Sequence, residues 1–510
     1  MPLLDLLPLA ADIAFRPEVL LAVLLGVFLG VTVGAIPGIS GDMAMAVLLP
    51  FVFTMDAAAA IGMLMGIYKG GLFGGSISAI MFGVPGTPGA AATMMDGYPA
   101  KQAGRPNSAL HTALYSSVFG DLAGVMVLIF IATPLAALAL KFGPRDFFAL
   151  YIVSIVVIAS LDKGRVVRGF AAASIGVMLS MIGRDPFTGA QRYTFGIPEL
   201  AGGIGLVPLL IGLFALSEIM IQVGRSFHAR VQTEAQRAAQ VAQDAGYDPR
   251  KDKLSRQEFR SLWRAMTIGS ATGTFIGALP GAGATLAGFL SYALAQRASR
   301  RPQEFGKGCM EGIAAPEAGN SATAGATLIP LFSFGIPGSG SAALIGAAFI
   351  MQGITPGPQM IEANMPIIYA IFILLVLGTL MNLVVSKALL PYYARISLIP
   401  PRIVLPIVVA LAVVGTYAIS NSVTDVWMLV AAGVFGVLMR GFGIPIPALA
   451  LGFILGPGFE RALRQALMLG QNDWGYLLQS PIALAIYATG AGVMALFFWA
   501  TFRRGQPDAA

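Results

Sequence analysis

The sequence has one cysteine and two histidines in 510 residues, and only 11% of its residues are charged. A lone thiol, Cys309, excludes an internal disulfide. His111 and His228 are too few for a histidine-based metal centre, and they supply no nucleophile–base pair of the kind an enzyme in a membrane would need. No glycine-rich nucleotide-binding motif is present, so direct coupling to ATP within this chain is not expected. The N-terminus lacks the basic region and small-residue cleavage site of a signal peptide and is expected to stay in the mature protein. A soluble domain carries about 25% charged residues. With 56% hydrophobic residues and a mean hydropathy of +0.78, this is a membrane protein.

What is abundant is glycine, proline and long apolar stretches. Val19 to Ile36 runs without a charge for 18 residues, the length a bilayer crossing needs. Further apolar spans lie at 109–132, 147–161, 201–221, 367–386, 404–420, 425–439 and 481–502. The net charge of +7 is read as basic cytoplasmic loops rather than as affinity for nucleic acid. The longest polar stretch, Gln222 to Arg264, reads as a cytoplasmic linker, with an Ala- and Gln-rich middle, Val231 to Ala245, that could be helical.

The linker separates two related halves. Gly34-Ala35-Ile36-Pro37-Gly38 returns 243 positions later as Gly277-Ala278-Leu279-Pro280-Gly281, and Phe82-Gly83-Val84-Pro85-Gly86 returns after 252 as Phe334-Gly335-Ile336-Pro337-Gly338. Gly143-Pro144-Arg145 matches Pro400-Pro401-Arg402 at 257, and the run Gly176–Gly183 matches Gly436–Gly443 at 260. The drift is what a duplication with small insertions leaves. The segment from Leu262 to Gln296 is flanked by Arg256, Arg260 and Arg264 before it and Arg297, Arg300 and Arg301 after it. Both its ends therefore read as cytoplasmic, as in a hairpin dipping into the membrane. The matching first-half segment, Val19 to Thr54, has no basic cluster and reads as entering from outside. The turns at Lys101 and Arg105, and at Lys163, Arg165 and Arg168, would be cytoplasmic, and the polar excursion Arg184 to Glu199 external. Opposed entry of related halves is the pattern of an inverted repeat. The expectation is an all-α polytopic membrane protein of two inverted-topology repeats, 1–221 and 262–510, joined by a basic linker, 222–261. Its re-entrant helical hairpins are broken at Pro-Gly loops.

Non-helical backbone at membrane depth survives only where it is buried in protein or lines an aqueous cavity. A helix restarting after such a break offers free N–H groups to an anion, while the carbonyl end before it suits a cation. Four places fit: Pro37-Gly38-Ile39-Ser40-Gly41-Asp42, Pro85-Gly86-Thr87-Pro88-Gly89, Pro280-Gly281-Ala282-Gly283-Ala284-Thr285 and Pro337-Gly338-Ser339-Gly340-Ser341. Between them lie two polar patches, one from Tyr68-Lys69 to Ser76-Ile77-Ser78, the other Glu317-Ala318-Gly319-Asn320-Ser321. The candidate substrate contacts are therefore Pro37, Gly38, Ser40, Gly41, Lys69, Pro85, Gly86, Thr87, Gly281, Gly283, Thr285, Asn320, Gly338 and Ser339. Asp42, Ser76, Glu317 and Ser321 are candidate Na⁺ ligands. Lys69 has three readings: a grip on a substrate carboxylate, a pair with an internal acid such as Glu317 or Asp42, or a side chain that snorkels. Glu317 and Asp42 fit a cation site, a proton relay or a structural ion pair, and Asp121 is an intramembrane acid of the same kind.

On these residues the chain resembles the large membrane subunit of the tripartite tricarboxylate transporters, the TctA family. The likeness rests on Gly34 to Pro50, Gly66-Ile67-Tyr68, Gly74-Gly75-Ser76, Asp96-Gly97-Tyr98-Pro99, Phe142-Gly143-Pro144 and Asp185-Pro186. In the second half it rests on Pro280-Gly281-Ala282-Gly283-Ala284, Glu311-Gly312, Ala314-Ala315-Pro316-Glu317-Ala318, Gly335-Ile336-Pro337-Gly338 and Leu455-Gly456-Pro457. It implies a carrier in the bacterial inner membrane, with a small transmembrane subunit and a periplasmic solute-binding protein as partners. It also implies citrate-like or other carboxylates as substrates and Na⁺ as coupling ion, with no other cofactor. The alternative is a carboxylate or anion carrier of the same fold that needs no solute-binding partner. Three positions depart from the family pattern. Lys69 stands where many members have a second tyrosine, Gly86-Thr87-Pro88 where Gly-Glu-Pro is common, and Gly319-Asn320-Ser321 where asparagines are often paired. A gained cation and a lost acid make the first-half site more positive, so an anion is still expected, though not necessarily citrate.

Overall fold

A computed structural model describes residues 3–36, 39–160, 166–228, 252–281, 283–396 and 401–503. Among these the regular structure is helical apart from one two-stranded turn. The first half holds α1 (Leu3–Ala14), α2 (Pro17–Gly34), α3 (Gly41–Val52), α4 (Ala57–Phe82), α5 (Ala91–Gln102), α6 (Pro106–Ala139), α7 (Pro144–Ser160) and α8 (Val166–Ser180). It closes with α9 (Leu206–Ile211), a wide turn at Gly212–Leu216 and α10 (Ser217–His228). The second holds α11 (Arg256–Ser261), α12 (Trp263–Gly277), α13 (Gly283–Ala298), α14 (Met310–Ala326), α15 (Leu328–Phe334), α16 (Gly340–Met351) and α17 (Pro358–Ala363). Then come α18 (Met365–Ile396), α19 (Pro401–Ser420), α20 (Val423–Gly441), α21 (Ile446–Leu469) and α22 (Pro481–Arg503). Seven of the described spans are long and apolar enough to cross a bilayer. It is a multi-pass, all-α membrane protein.

The order of elements repeats. Each half runs through a broken hairpin (α2–α3; α12–α13), a helix ending in a second break (α4; α14–α15) and a short return (α5; α16). A long helix follows (α6; α18), then three more (α7, α8 and α9–α10; α19, α20 and α21). Pro144 and Pro401, matched in the repeat, each begin a helix, where a missing N–H costs nothing. The repeat extends to packing register. On α2, Gly26, Gly30 and Gly34 abut the α4 backbone at Met63, Ile67 and Gly71; on α12, Gly269, Gly273 and Gly277 abut α14 at Ala315, Gly319 and Thr323. Each contact in the second trio is the first displaced by 243 positions on one helix and 252 on the other. Small residues let helices approach this closely in lipid, where apolar burial alone gives no drive to associate.

The halves also exchange partners. Helix α6 packs on α14 of the other half and α18 packs on α4; α16 rests on α3, while α13 rests on α5 and the turn before it. Helices α7 and α8 pack against α21, and α20 against α9 and the wide turn. Neither half encloses its own core.

Several sequence expectations meet a different arrangement. The polar patch Tyr68–Ser78 lies within continuous α4. Ile446–Leu469, disguised by Glu460, Arg461 and Arg464 near its end, is one of the long apolar helices. Helix α10 runs past residue 222 to His228. The segment Val231–Ala245 and the turn residues Lys163 and Arg165 lie outside the described residues. The Arg105 turn meets the end of the linker through a 2.7 Å pair with Glu258 and a 2.6 Å bond from the Asn107 N–H to Asp252. These two stretches, both read as cytoplasmic, thus share one face.

The excursion Arg184–Glu199 is tied down rather than loose. Asp185 accepts the N–H groups of Phe187 (2.8 Å) and Thr188 (2.9 Å) and pairs with Arg464 (2.7 Å) and Arg192 (3.2 Å). Arg192 and Arg464 in turn hold Glu460, at 2.5 and 2.8 Å. The Thr188 and Phe187 N–H groups, then Arg464, hold the Asp185 carboxyl below the usual carboxylate range. A depressed folded-state pKa gives stability that is present above the unfolded value of about 3.9 and lost as pH falls through the folded one. Asp185→Asn is expected to lower the thermal midpoint near neutral pH, with the gap to wild type closing in strong acid. Thermal scans of the two proteins at several pH values test this; a gap that widens on acidification would contradict it.

Candidate functional site

The four broken loops meet. Ser40–Asp42, Thr87–Gly89, Gly281 with Gly283–Leu286, and Ser339–Ser341 surround a cavity of about 470 Å³. Tyr68, Gly71 and Leu72 of α4 form part of its wall, and Ile158, Pro445, Pro447, Ala448 and Leu451 form an apolar flank. The volume is within the range of small-molecule sites.

Local chemistry explains why each loop turns where it does. Gly83 (φ +65°) and Gly335 (φ +74°) end their helices in the left-handed conformation, which only glycine adopts without strain. After them the Gly86 N–H donates to the Gly75 carbonyl (3.1 Å), and the Gly338 N–H to the Thr327 carbonyl (3.2 Å), the same bond 252 positions on. The restarting helices are capped: Ser40 Oγ accepts from the Met43 N–H (3.2 Å) and Ser339 Oγ from the Ala342 N–H (3.1 Å). Each cap uses the hydroxyl as an acceptor. Two bonds lock loop to loop: Gly281 N–H to the Gly338 carbonyl (2.8 Å), and Ser341 Oγ to Asp42 Oδ1 (2.5 Å), the latter across the halves. The N-termini of α3, α13, α16 and α21, and of the short turn at Pro88–Ala90, all open on the cavity. Such ends present N–H groups and partial positive charge.

Of the sequence-predicted residues, Ser40, Gly41, Asp42, Thr87, Gly281, Gly283, Thr285 and Ser339 line this cavity. Pro37 and Gly38 lie outside the described residues. Pro85, Gly86 and Gly338 shape the loops without lining the wall. Lys69 follows one of its three readings, the pair with an internal acid, but the acid is Asp121. It is buried inside α4, and its ammonium donates to both Asp121 oxygens at 2.7 Å and to Thr379 Oγ1 at 2.9 Å. Thr379 donates to Asp121 at 2.6 Å. All three ammonium protons are committed, so Lys69 is withdrawn as a substrate contact, and its partner is neither Glu317 nor Asp42. Asn320 lies behind Gly89, with Oδ1 2.1 Å from where a Gly89 Cβ would sit. Ser76 (2.5 Å) and Thr93 (2.9 Å) donate to Glu317 Oε2. Ser321 hydrogen-bonds to Ser117 (2.7 Å) instead. Tyr68, Gly89 and Ser341 also line the cavity; they are absent from the candidate contacts although all three stand within the phrases and patch that sequence singled out. Pro445 and Pro447 carry the ordinary signal of a helix start, which does not say what the start faces.

Residues 20–451 match the family described as Tripartite tricarboxylate transporter TctA family. The chain belongs to the TctA family. An Agrobacterium vitis protein named as an uncharacterized 52.8 kDa protein in the TAR-I ttuC' 3' region is 36% identical over 455 residues, 89% of this chain and 88% of its own length. A second A. vitis protein, from the TAR-II ttuC' 3' region, is 37% identical over 218 residues, 43% of this chain and 90% of its own length. No solved structure matches.

One motif of this TctA-family chain is structural. Asp96, fully buried, accepts the N–H groups of Gly306 (3.0 Å), Gly308 (2.8 Å) and Cys309 (2.8 Å) and the Tyr292 hydroxyl (2.9 Å). It pins the turn between α13 and α14 to α5. A Cβ on Gly312 would come within 2.0 Å of its carboxylate, which is why the residue after Glu311 is glycine.

Proposed function

We propose that this chain is the large transmembrane subunit of a tripartite secondary transporter that imports carboxylates. A periplasmic solute-binding protein delivers the substrate, a small transmembrane subunit completes the assembly in the bacterial inner membrane, and Na⁺ is the coupling ion. The observation that carries the reading is the convergence of four helix-break loops from both halves on one cavity rimmed by hydroxyls and helix N-termini. N-terminal N–H groups bind carboxylates without a formal positive charge.

The rim is not uniform. The first turn of α3 already holds an acid, Asp42, whereas the first turns of α13 and α16 hold none. An arriving carboxylate is repelled from Asp42, and Ser341 already binds that side. The preferred seat is therefore the opposite side, between Gly283–Thr285 and Thr87–Gly89, with the Thr285 hydroxyl donating. Hydrogen bonds to a charged group contribute about 1.5–3 kcal/mol. Thr285→Val is expected to raise the half-saturating substrate concentration about 10- to 100-fold with folded yield unchanged. The measurement is uptake of radiolabelled carboxylates into proteoliposomes holding the chain with its small subunit and binding protein, in Na⁺ or choline buffer. Unaltered uptake by Thr285→Val would remove this seat. Uptake that proceeds equally well without the binding protein would favour the partner-free carrier.

A further inference from the structure

Three carboxylates are buried in the core around α4 and α14, and two of them are fully answered. Asp96 has four donors, and Asp121 has an ammonium and a hydroxyl. Glu317 is not answered. Its Oε2 accepts from Ser76 and Thr93, but Oε1 is buried with no hydrogen-bond partner, and no Lys or Arg among the described residues pairs with it. A buried carboxylate without a countercharge costs several kcal/mol. One helical turn along α14, the Asn320 side chain is also fully buried, with both its oxygen and its nitrogen unpartnered. Positions three apart share a helix face. That face meets the turn Pro88–Ala90: Asn320 Oδ1 abuts Gly89, and Glu317 is bonded to Thr93 just beyond the turn. Just before the turn, Thr87 Oγ1 is buried and unpartnered as well. Three unpartnered oxygens, one of them anionic, thus stand around this contact: Thr87 Oγ1 lies against Gly75 of α4, the residue before the Ser76 that bonds Glu317.

We propose that Glu317, Asn320 and Thr87 form a Na⁺ site directly behind the cavity, with Glu317 Oε1, Asn320 Oδ1 and Thr87 Oγ1 as its side-chain ligands. The inference rests on Na⁺ being the coupling ion. It moves Asn320 and Thr87 from the anion to the cation, leaves Ser76 and Thr93 to orient the carboxylate, and excludes Ser321 and Asp42. A proton on Glu317 would neutralise the carboxylate, whereas a cation would answer the Glu317, Asn320 and Thr87 oxygens together. The ion's positive charge would lie across Gly89 from the preferred substrate seat, so either ligand strengthens the site of the other, and reciprocity follows from linkage.

The test is binding without transport. Radiolabelled Na⁺ retention and thermal midpoints are measured on the purified full-length chain, with any co-purifying subunit, in NaCl, KCl or choline chloride of equal ionic strength and without carboxylate. Wild type should retain Na⁺ and gain a saturable rise in midpoint specific to Na⁺. Glu317→Gln should lose both, Asn320→Ala should weaken Na⁺ at least 10-fold, and Ser117→Ala should match wild type. Na⁺ binding that survives both Glu317→Gln and Asn320→Ala overturns the site while leaving Na⁺ coupling intact. A wild type indifferent to Na⁺ but responsive to pH overturns the site and the coupling ion together, in favour of a proton. Should Glu317→Gln fail to fold, Asn320→Ala decides alone.

Discussion

Asp121→Ala is expected to remove most of the folded protein. It would strand the Lys69 ammonium inside α4 with a single remaining neighbour, the Thr379 hydroxyl. Deleting one member of a buried pair costs about 3–5 kcal/mol, because the other charge stays behind without compensation. That is a large fraction of the stability of a typical domain. Lys69→Met with Asp121→Leu removes both charges and should recover most of the loss, whereas Lys69→Met alone should not. Monodisperse yield and thermal midpoint of the three variants decide the matter. If Asp121→Ala unfolds at the wild-type temperature, the pair has no structural weight. Asp121 of α6 and Thr379 of α18 come from different halves, so the pair stands where the two halves touch. The match of Lys69 in the second half is Ser321, bonded to Ser117.

The second large effect is expected at Gly30 and Gly273. A Cβ on Gly30 would lie 2.3 Å from the Ile67 carbonyl oxygen, and one on Gly273 2.1 Å from that of Gly319. The obstacle is backbone in both cases, so no rotamer relieves it and the helices must separate. Overpacking ordinarily costs about 1–3 kcal/mol; here the upper end or beyond is expected, since separation also opens the contacts above and below. Gly30→Leu and Gly273→Leu should each abolish monodisperse protein, and the Ala variants should lower the thermal midpoint clearly. Ala271→Leu, on the exposed side of α12, should behave as wild type. Equal damage from Ala271→Leu would show that bulk rather than close approach matters.

The cavity was legible in sequence because its determinants are local. Pro and Gly break helices wherever they stand, and the repeat says the breaks belong together. Seven of the candidate substrate contacts, and Asp42 from the candidate Na⁺ ligands, consequently line one cavity. Partner choice was not legible. Lys69 was matched to acids by charge alone, whereas its actual partner lies 52 residues on, in α6, and is selected by the way α6 and α18 flank α4. Asn320 reads in sequence as a substrate contact because sequence does not say which side of Gly89 it occupies. The α21 span was hidden by Glu460 and Arg464, whose charges are answered by Asp185 and Arg192 from the turn after α8. Buried charge becomes readable only once its countercharge is placed, and that is a tertiary fact.

The exchange of partners between the halves has a consequence for how the protein is made. When the first half has left the ribosome, α4 still lacks α18, α6 lacks α14 and α3 lacks α16. Gly120 and Gly124, shaped to receive the backbone of Ala318 and Ala322, wait with an empty groove. Insertion into the bilayer can proceed segment by segment, but assembly cannot finish until nearly the whole chain has been translated. The linker therefore does more than connect two units; it spans an interval in which the nascent first half is a half-built interface.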